Sequence, residues 1–233
     1  MEKLGTNKLN MQKLLAPAAL VILYIVFSIF GNNFLSLDMV KNILESSYYI
    51  GFMAFGVTFV IITGGIDLSL GTAMMCAALL GGFSFKQGCP LILSVFLTIL
   101  VGVVFGFVNG IFVAKLKLPP FIATLGTQMM ASGIGSIITK VQSQTWPTAT
   151  AEVGSWFKKV FIRADIFGVK GFPVGAFWLI GFFLIAMLIL HKTRFGRYAF
   201  AIGSNEEATR LSGIKVDKWK VAVYTLSGFF IGM

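Results

Sequence analysis

Apolar stretches close to the ~20 residues that cross a bilayer recur along the whole chain, and no other feature constrains its fold as much. They cover roughly residues 14–30, 43–63, 67–83, 91–113, 121–139 and 173–191, and a seventh begins near Val221. In hydrocarbon every backbone N–H and C=O has to be satisfied, so runs of this length are read as helices. The expected fold class is an all-α polytopic membrane protein with about seven transmembrane helices. A single transmembrane domain, 14–233, follows a short N-terminal segment, 1–13. The seventh run has only about 13 residues before Met233, short of a crossing, so the sequence reads as the front part of a longer protein.

Composition agrees. Hydrophobic residues make up 57% and charged residues 12%, about half the ~25% charge of a soluble domain. The net charge of +10 sits between the apolar runs rather than on one soluble surface, which favours bilayer orientation over nucleic acid as its explanation. With the N-terminus in the cytoplasm, the inner loops 1–13, 114–118 and 191–220 hold twelve of the 19 Lys and Arg. The outer loops 31–42, 84–90 and 140–172 hold the other seven, the asymmetry that positive-inside orientation requires. Lys3, Lys8 and Lys13 precede the apolar run from Leu14 to Phe30, but no small-residue cleavage site follows, so this is an uncleaved first span. Cys76 and Cys89 offer neither a disulfide framework nor metal-ligand spacing and read as packing residues.

Three intramembrane features stand out. Gly102, Gly106 and Gly110 recur every fourth residue and leave a smooth face for close helix approach. Thr124, Thr127 and Gln128 share one helical face after Pro119-Pro120; such groups either bond neighbouring helices or line a wet path. Between the second and third runs lies "TGGIDLSLG", residues 63–71. There Gly64 and Gly65 can end one helix while Asp67 or Ser69 caps the next. The same break can also expose backbone to a translocation cavity.

The fourth feature is polar. "SNEEATRLSG", Ser204 to Gly213, reads as a short charged helix inside the loop 191–220. Ser204 and Glu207 have capping-box spacing, Glu206 and Arg210 pair at i,i+4, and Gly213 can close the helix in the left-handed conformation. A helix this short is not self-sufficient, so it is expected to pack on something. Ala208 and Leu211, with Ile214, line its apolar side. The headgroup region, its own neighbours and a soluble partner all fit. The chain has no G-x-x-x-x-G-K-[ST] and no paired intramembrane acids, and its one histidine, His191, closes the sixth run beside Lys192. No enzymatic activity and no cofactor are expected. From the residues alone, a secondary carrier or channel working at 64–71, a membrane anchor recruiting a cytosolic partner, and a subunit of an externally powered transporter all remain open.

"ITGGIDLSLG", "NGIFVAKLKLPPFIATLGT" and "KTRFGRYAFAIGSNEEATRLSGIKVDKWK" resemble stretches of the permease subunits of binding-protein-dependent ABC importers, of the ribose/galactose/xylose simple-sugar type. The resemblance runs through most of the chain. Its most specific part is Glu207-Ala208-Thr209-x-x-x-Gly213, similar to the EAA-x-x-x-G loop by which such permeases meet their ATPases, with Thr209 in place of the second alanine. It implies a permease-like helical bundle in the bacterial inner membrane, with 192–220 as a cytoplasmic coupling loop. It also implies an ATP-binding subunit docking at Gly203, Ser204, Glu206, Glu207, Ala208, Arg210, Leu211 and Gly213. An extracytoplasmic sugar-binding protein, a second permease copy or sister permease, and surrounding lipid are the other implied partners.

Overall fold

The computed structural model describes residues 3–31, 33–147, 154–166 and 169–233. The chain divides into two units, Met1–Glu45 and Ser46–Met233. In the first, α1 (Lys3–Phe30) is one unbroken helix that takes in most of the segment expected to precede the first span. Its apolar side chains, Leu20, Ile22 and Phe27 among them, are exposed. Phe34 folds back on it, with its ring 5.2 Å from Tyr24 and 5.7 Å from Phe27. α2 (Leu37–Ile62) begins in this unit and continues into the second.

The second unit contains α3 (Leu70–Lys86), α4 (Leu91–Ala114) and α5 (Pro120–Thr139), then α6 (Ser155–Phe161), a hairpin, and α7 (Gly175–Lys192). α8 (Arg194–Ser204), α9 (Glu206–Leu211) and α10 (Val216–Gly232) complete it. Four helices, α2, α4, α5 and α7, are long and apolar enough to cross a membrane; Pro17–Phe30 and α3 are shorter apolar helices. This is a polytopic helical bundle. The loop 140–172 also carries a short hairpin, in which β1 (Arg163–Ile166) pairs antiparallel with β2 (Val169–Pro173). Residues 148–153 and 167–168 of that loop lie outside the described residues. An aromatic series holds α6 to α7. Phe157 lies 5.1 Å from Phe161, Phe161 lies 5.3 Å from Trp178, and Trp178 Nε1 donates to the Val160 carbonyl.

The glycine face of α4 is covered by α10. At Gly102 a Cβ would stand 2.5 Å from the Gly228 carbonyl oxygen, at Gly106 it would overlap the Tyr224 carbonyl, and at Gly110 it would meet Val221 Cα at 2.8 Å. The fit is mutual, because a Cβ on Gly228 would strike the Gly102 carbonyl. Two backbones thus run against each other, a separation that only residues without side chains permit. α10 begins at Val216, earlier than the seventh apolar run, and Val223, Tyr224, Phe230 and Ile231 are all buried.

Two apolar cores flank this crossing. Phe59, Val60, Val223, Tyr224 and Phe230 form one, with the rings of Phe59 and Phe230 stacked at 6.3 Å. Ala73, Cys76, Phe105, Ala131 and Ile231 form the other. Cys76 fills space there as a small apolar group, and Cys89 is also a free thiol. Gly106→Leu therefore drives a side chain into the α10 backbone, and overpacking of this kind costs about 3 kcal/mol. Gly126→Leu, on an open face of α5, is the matched control. Thermal unfolding in detergent should show a lowered midpoint for Gly106→Leu alone; equal midpoints for the two variants would remove the glycine face from the account.

Candidate functional site

The break between α2 and α3 is built by two glycines with different duties. Gly64 adopts φ +75°, the left-handed conformation that closes α2, and its N–H donates to the Ile61 carbonyl at 2.9 Å. Gly65 donates to the Val60 carbonyl and supplies space: a Cβ there would lie 2.6 Å from the Tyr224 hydroxyl. That hydroxyl donates to the Ile66 carbonyl at 3.2 Å, so α10 caps the exposed backbone of the break.

Asp67 follows, only 5% exposed. Its Oδ1 accepts from the Ser69 N–H at 2.9 Å and the Ser69 hydroxyl at 2.6 Å. Ser69 sits at the α3 N-cap, and its own side chain makes no capping bond. The two candidate caps thus combine into a turn, with Asp67 binding Ser69 rather than the first helical N–H groups.

This turn ends a directed chain of hydrogen bonds. The Thr127 hydroxyl donates to Asn109 Oδ1 at 2.6 Å, Asn109 Nδ2 donates to Ser69 Oγ at 2.8 Å, and Ser69 donates to Asp67. Thr124 Oγ1 joins by accepting the Leu68 N–H at 3.1 Å. α3, α4 and α5 are therefore bonded to one another at a single buried point. Of the two roles open to Thr124 and Thr127, the structure shows bonding between elements. Gln128 is half-buried and stands outside this network. Asp67 Oδ2 is buried and has no partner among the described residues.

Asn109 is the hub that the sequence reading missed. It is fully buried, and an asparagine inside an otherwise apolar run is the same kind of signal that singled out Asp67.

The second candidate region is 191–220. The expected capping box does not form. Ser204 is the last residue of α8, and Asn205 is the N-cap of α9, its Oδ1 accepting from the Ala208 N–H at 2.9 Å. Asparagine caps as well as serine, and α8 had already taken Ser204. Thr209 is buried and donates to the Ala201 carbonyl, which fastens α9 to α8. Gly213 has φ +81°, as a left-handed terminator requires.

The Glu206–Arg210 pair is present at 3.4 Å, but each partner has a closer one. Arg210 lies 2.8 Å from Asp217, Lys117 lies 2.7 Å from the same carboxylate, and Lys220 bonds Glu206. The clasp joins α9 to the α4–α5 loop and to α10. Arg210 first, and then Lys117, hold the Asp217 carboxyl down at about 2; Lys220 lowers that of Glu206.

Held in this way, α9 presents Glu207, Ala208 and Leu211 to the outside, Leu211 at 89% exposure. At Gly203 a Cβ would collide with the Ile62 carbonyl, so this glycine seats α8 on the end of α2, beside the Gly64 turn.

Comparison with known proteins adds to this geometry. A family model described as branched-chain amino acid transport system / permease component matches residues 39–233. The chain is 38% identical over 218 residues to the ribose import permease protein RbsC of Bacillus subtilis (strain 168), covering 94% of this chain and 65% of that one. Against the RbsC protein of Haemophilus influenzae it is 36% identical over 211 residues, covering 91% and 64%. Against the fructose import permease protein FrcC of Rhizobium meliloti it is 33% identical over 225 residues, covering 94% and 62%. The chain thus spans less than two thirds of the length of these relatives. No solved structure matches it.

Two predictions arise from these sites. Asp67→Asn keeps an oxygen for Ser69 and should shift stability by less than about 1 kcal/mol, whereas Asn109→Leu removes the buried amide's bonds to Thr127, Ser69 and, at 3.4 Å, Asp67 and should cost about 2–3 kcal/mol. Unfolding midpoints in detergent compare them; a larger loss for Asp67→Asn would refute the hub assignment. The clasp acids have depressed pKa values, so its contribution is complete above ~5 and falls away with pH, the Asp217 part being lost as pH falls through about 2. A spin label at Ser212→Cys should become more mobile across that window and stay constant from neutral pH down to its upper edge.

Proposed function

This chain belongs to the permease-component family of branched-chain amino acid transport systems, and on that premise we propose that it is the transmembrane permease subunit of an ABC importer for a simple sugar. The family's description names amino acids, but the curated relatives given above are named for ribose and fructose import. The observation that carries the reading is α9: a short helix clasped at its polar side with Leu211, Ala208 and Glu207 left uncovered.

In this reading a separate ATPase subunit docks on α9 and supplies the energy. The clasp carries its movement to α10 and the α4–α5 loop, and α8 carries it through Gly203 to the break at Gly64. Rigid-body gating of this kind needs stiff connections between the contact and the spans. An extracytoplasmic sugar-binding protein delivers the substrate at the opposite face, and a second permease, a copy or a sister, completes the pore. The N-terminus lies in the cytoplasm of a bacterial cell, and α1 and α10 complete a set of seven spans with the helices between them. Gly64, Gly65, Asp67, Ser69, Thr124, Thr127 and Gln128 flank the path. The side chains of four of these residues, Asp67, Ser69, Thr124 and Thr127, are hydrogen-bonded at the break in the present conformation, so transport requires them to exchange partners.

The test is reconstitution of the importer with its ATPase and binding protein. Glu207→Lys and Gly213→Leu should insert normally, reduce sugar uptake at least about tenfold, and leave ATP hydrolysis no longer responsive to the loaded binding protein, a loss near 1.4 kcal/mol of coupling. Uptake at the parent rate in both variants would overturn the docking role. Uptake by vesicles holding this chain alone would instead establish a secondary carrier.

A further inference from the structure

A long apolar groove of 820 Å³ runs between α4 and α10. Val103 and Phe107 line it from α4, and Val221, Leu226 and Phe229 line it from α10. Thr225 also lies along it, but its hydroxyl donates to the Val221 carbonyl at 2.7 Å. Lys115, the C-cap of α4, and Lys218, in the first turn of α10, also line it, and both lie at the end of the crossing where Gly110 meets Val221. From Val103 to Lys115 the helix rises about 18 Å, close to the ~15 Å of hydrocarbon in one leaflet.

The charges at this end are not equivalent. Lys117 and Lys220 are neutralised by Asp217 and Glu206. Among the described residues, neither Lys115 nor Lys218 has an acidic partner, and both are exposed. The groove therefore combines an acyl-chain surface with two uncompensated ammonium groups at headgroup level.

We propose that it binds an anionic phospholipid from the leaflet beside α9, with the phosphate between Lys115 and Lys218 and one acyl chain along the groove. Basic pockets between membrane helices hold anionic headgroups in this way. A second copy of the chain is the poorer occupant: it would share the same orientation in the bilayer and bring its own lysines to the same depth. The inference rests on the membrane-embedded permease reading but not on transport, so its failure leaves the importer reading standing.

The chain is extracted from vesicles of mixed phosphatidylcholine and phosphatidylglycerol, and retained lipid is counted by native mass spectrometry. Phosphatidylglycerol should be retained in preference. Lys115→Gln with Lys218→Gln should lower its retention roughly five-fold per lysine, and Lys115→Arg with Lys218→Arg should preserve it. Lys158→Gln with Lys159→Gln, on α6, should change nothing. Equal retention of the two lipids, an unaffected glutamine pair, or displacement by inorganic phosphate would overturn the proposal. So would disulfide dimers through Thr225→Cys that form at the same rate with and without phosphatidylglycerol.

Discussion

The contact on which the rest of this structure depends is backbone against backbone, where Gly102, Gly106 and Gly110 of α4 meet Gly228 and its neighbours on α10. Lipid tails are as apolar as leucine, so helices in a bilayer gain little from hiding leucine side chains from one another. What they gain comes from dispersion over closely matched surfaces, and that requires the removal of side chains at the crossing. By bringing α10 this close, the glycines place Tyr224 against the α2–α3 break and Phe230 against Phe59. One apolar contact therefore positions both cores and the polar site.

That polar site obeys a different constraint. A chain interrupted at membrane depth leaves backbone groups that water does not reach, and each has to find a partner inside the protein. Here the Leu68 N–H finds Thr124, the Ser69 N–H finds Asp67 and the Ile66 carbonyl finds Tyr224, while a series of side-chain hydrogen bonds runs from Thr127 through Asn109 and Ser69 to Asp67. Such a network fixes the register of α3, α4 and α5 relative to one another. It also makes the break a place where a change in helix position has to be met by an exchange of hydrogen bonds.

The cytosolic end proposed here as a docking point follows a third rule. Its clasp is made of exposed ion pairs, each worth little in water, yet Asp217 is shared by Lys117 and Arg210 while Glu206 is shared by Arg210 and Lys220. Sharing ties three chain segments together without burying charge. α9 can then remain six residues long and still hold its shape. Its uncovered leucine makes sense on a helix that is meant to be covered by something else.

Several of these features were legible in the sequence. Apolar run lengths determined the helical bundle, because hydrocarbon tolerates no other backbone over such stretches. The glycine spacing gave the contact face of α4, and Gly64 and Gly213 marked turns that need positive φ. Motif resemblance carried the family. The β1–β2 hairpin and α8 were not legible, since a short two-stranded ribbon and a helix seated by tertiary packing leave little local signal. Ser204 and Asn205 are equivalent as caps until the length of α8 decides between them. Which helix meets the glycine face, that Asn109 links Thr127 to Ser69, and that Asp217 rather than Glu206 is the nearer partner of Arg210 were decided by tertiary structure alone. Each of these pairings joins residues on different elements, and sequence spacing describes only the neighbours that one helix brings together.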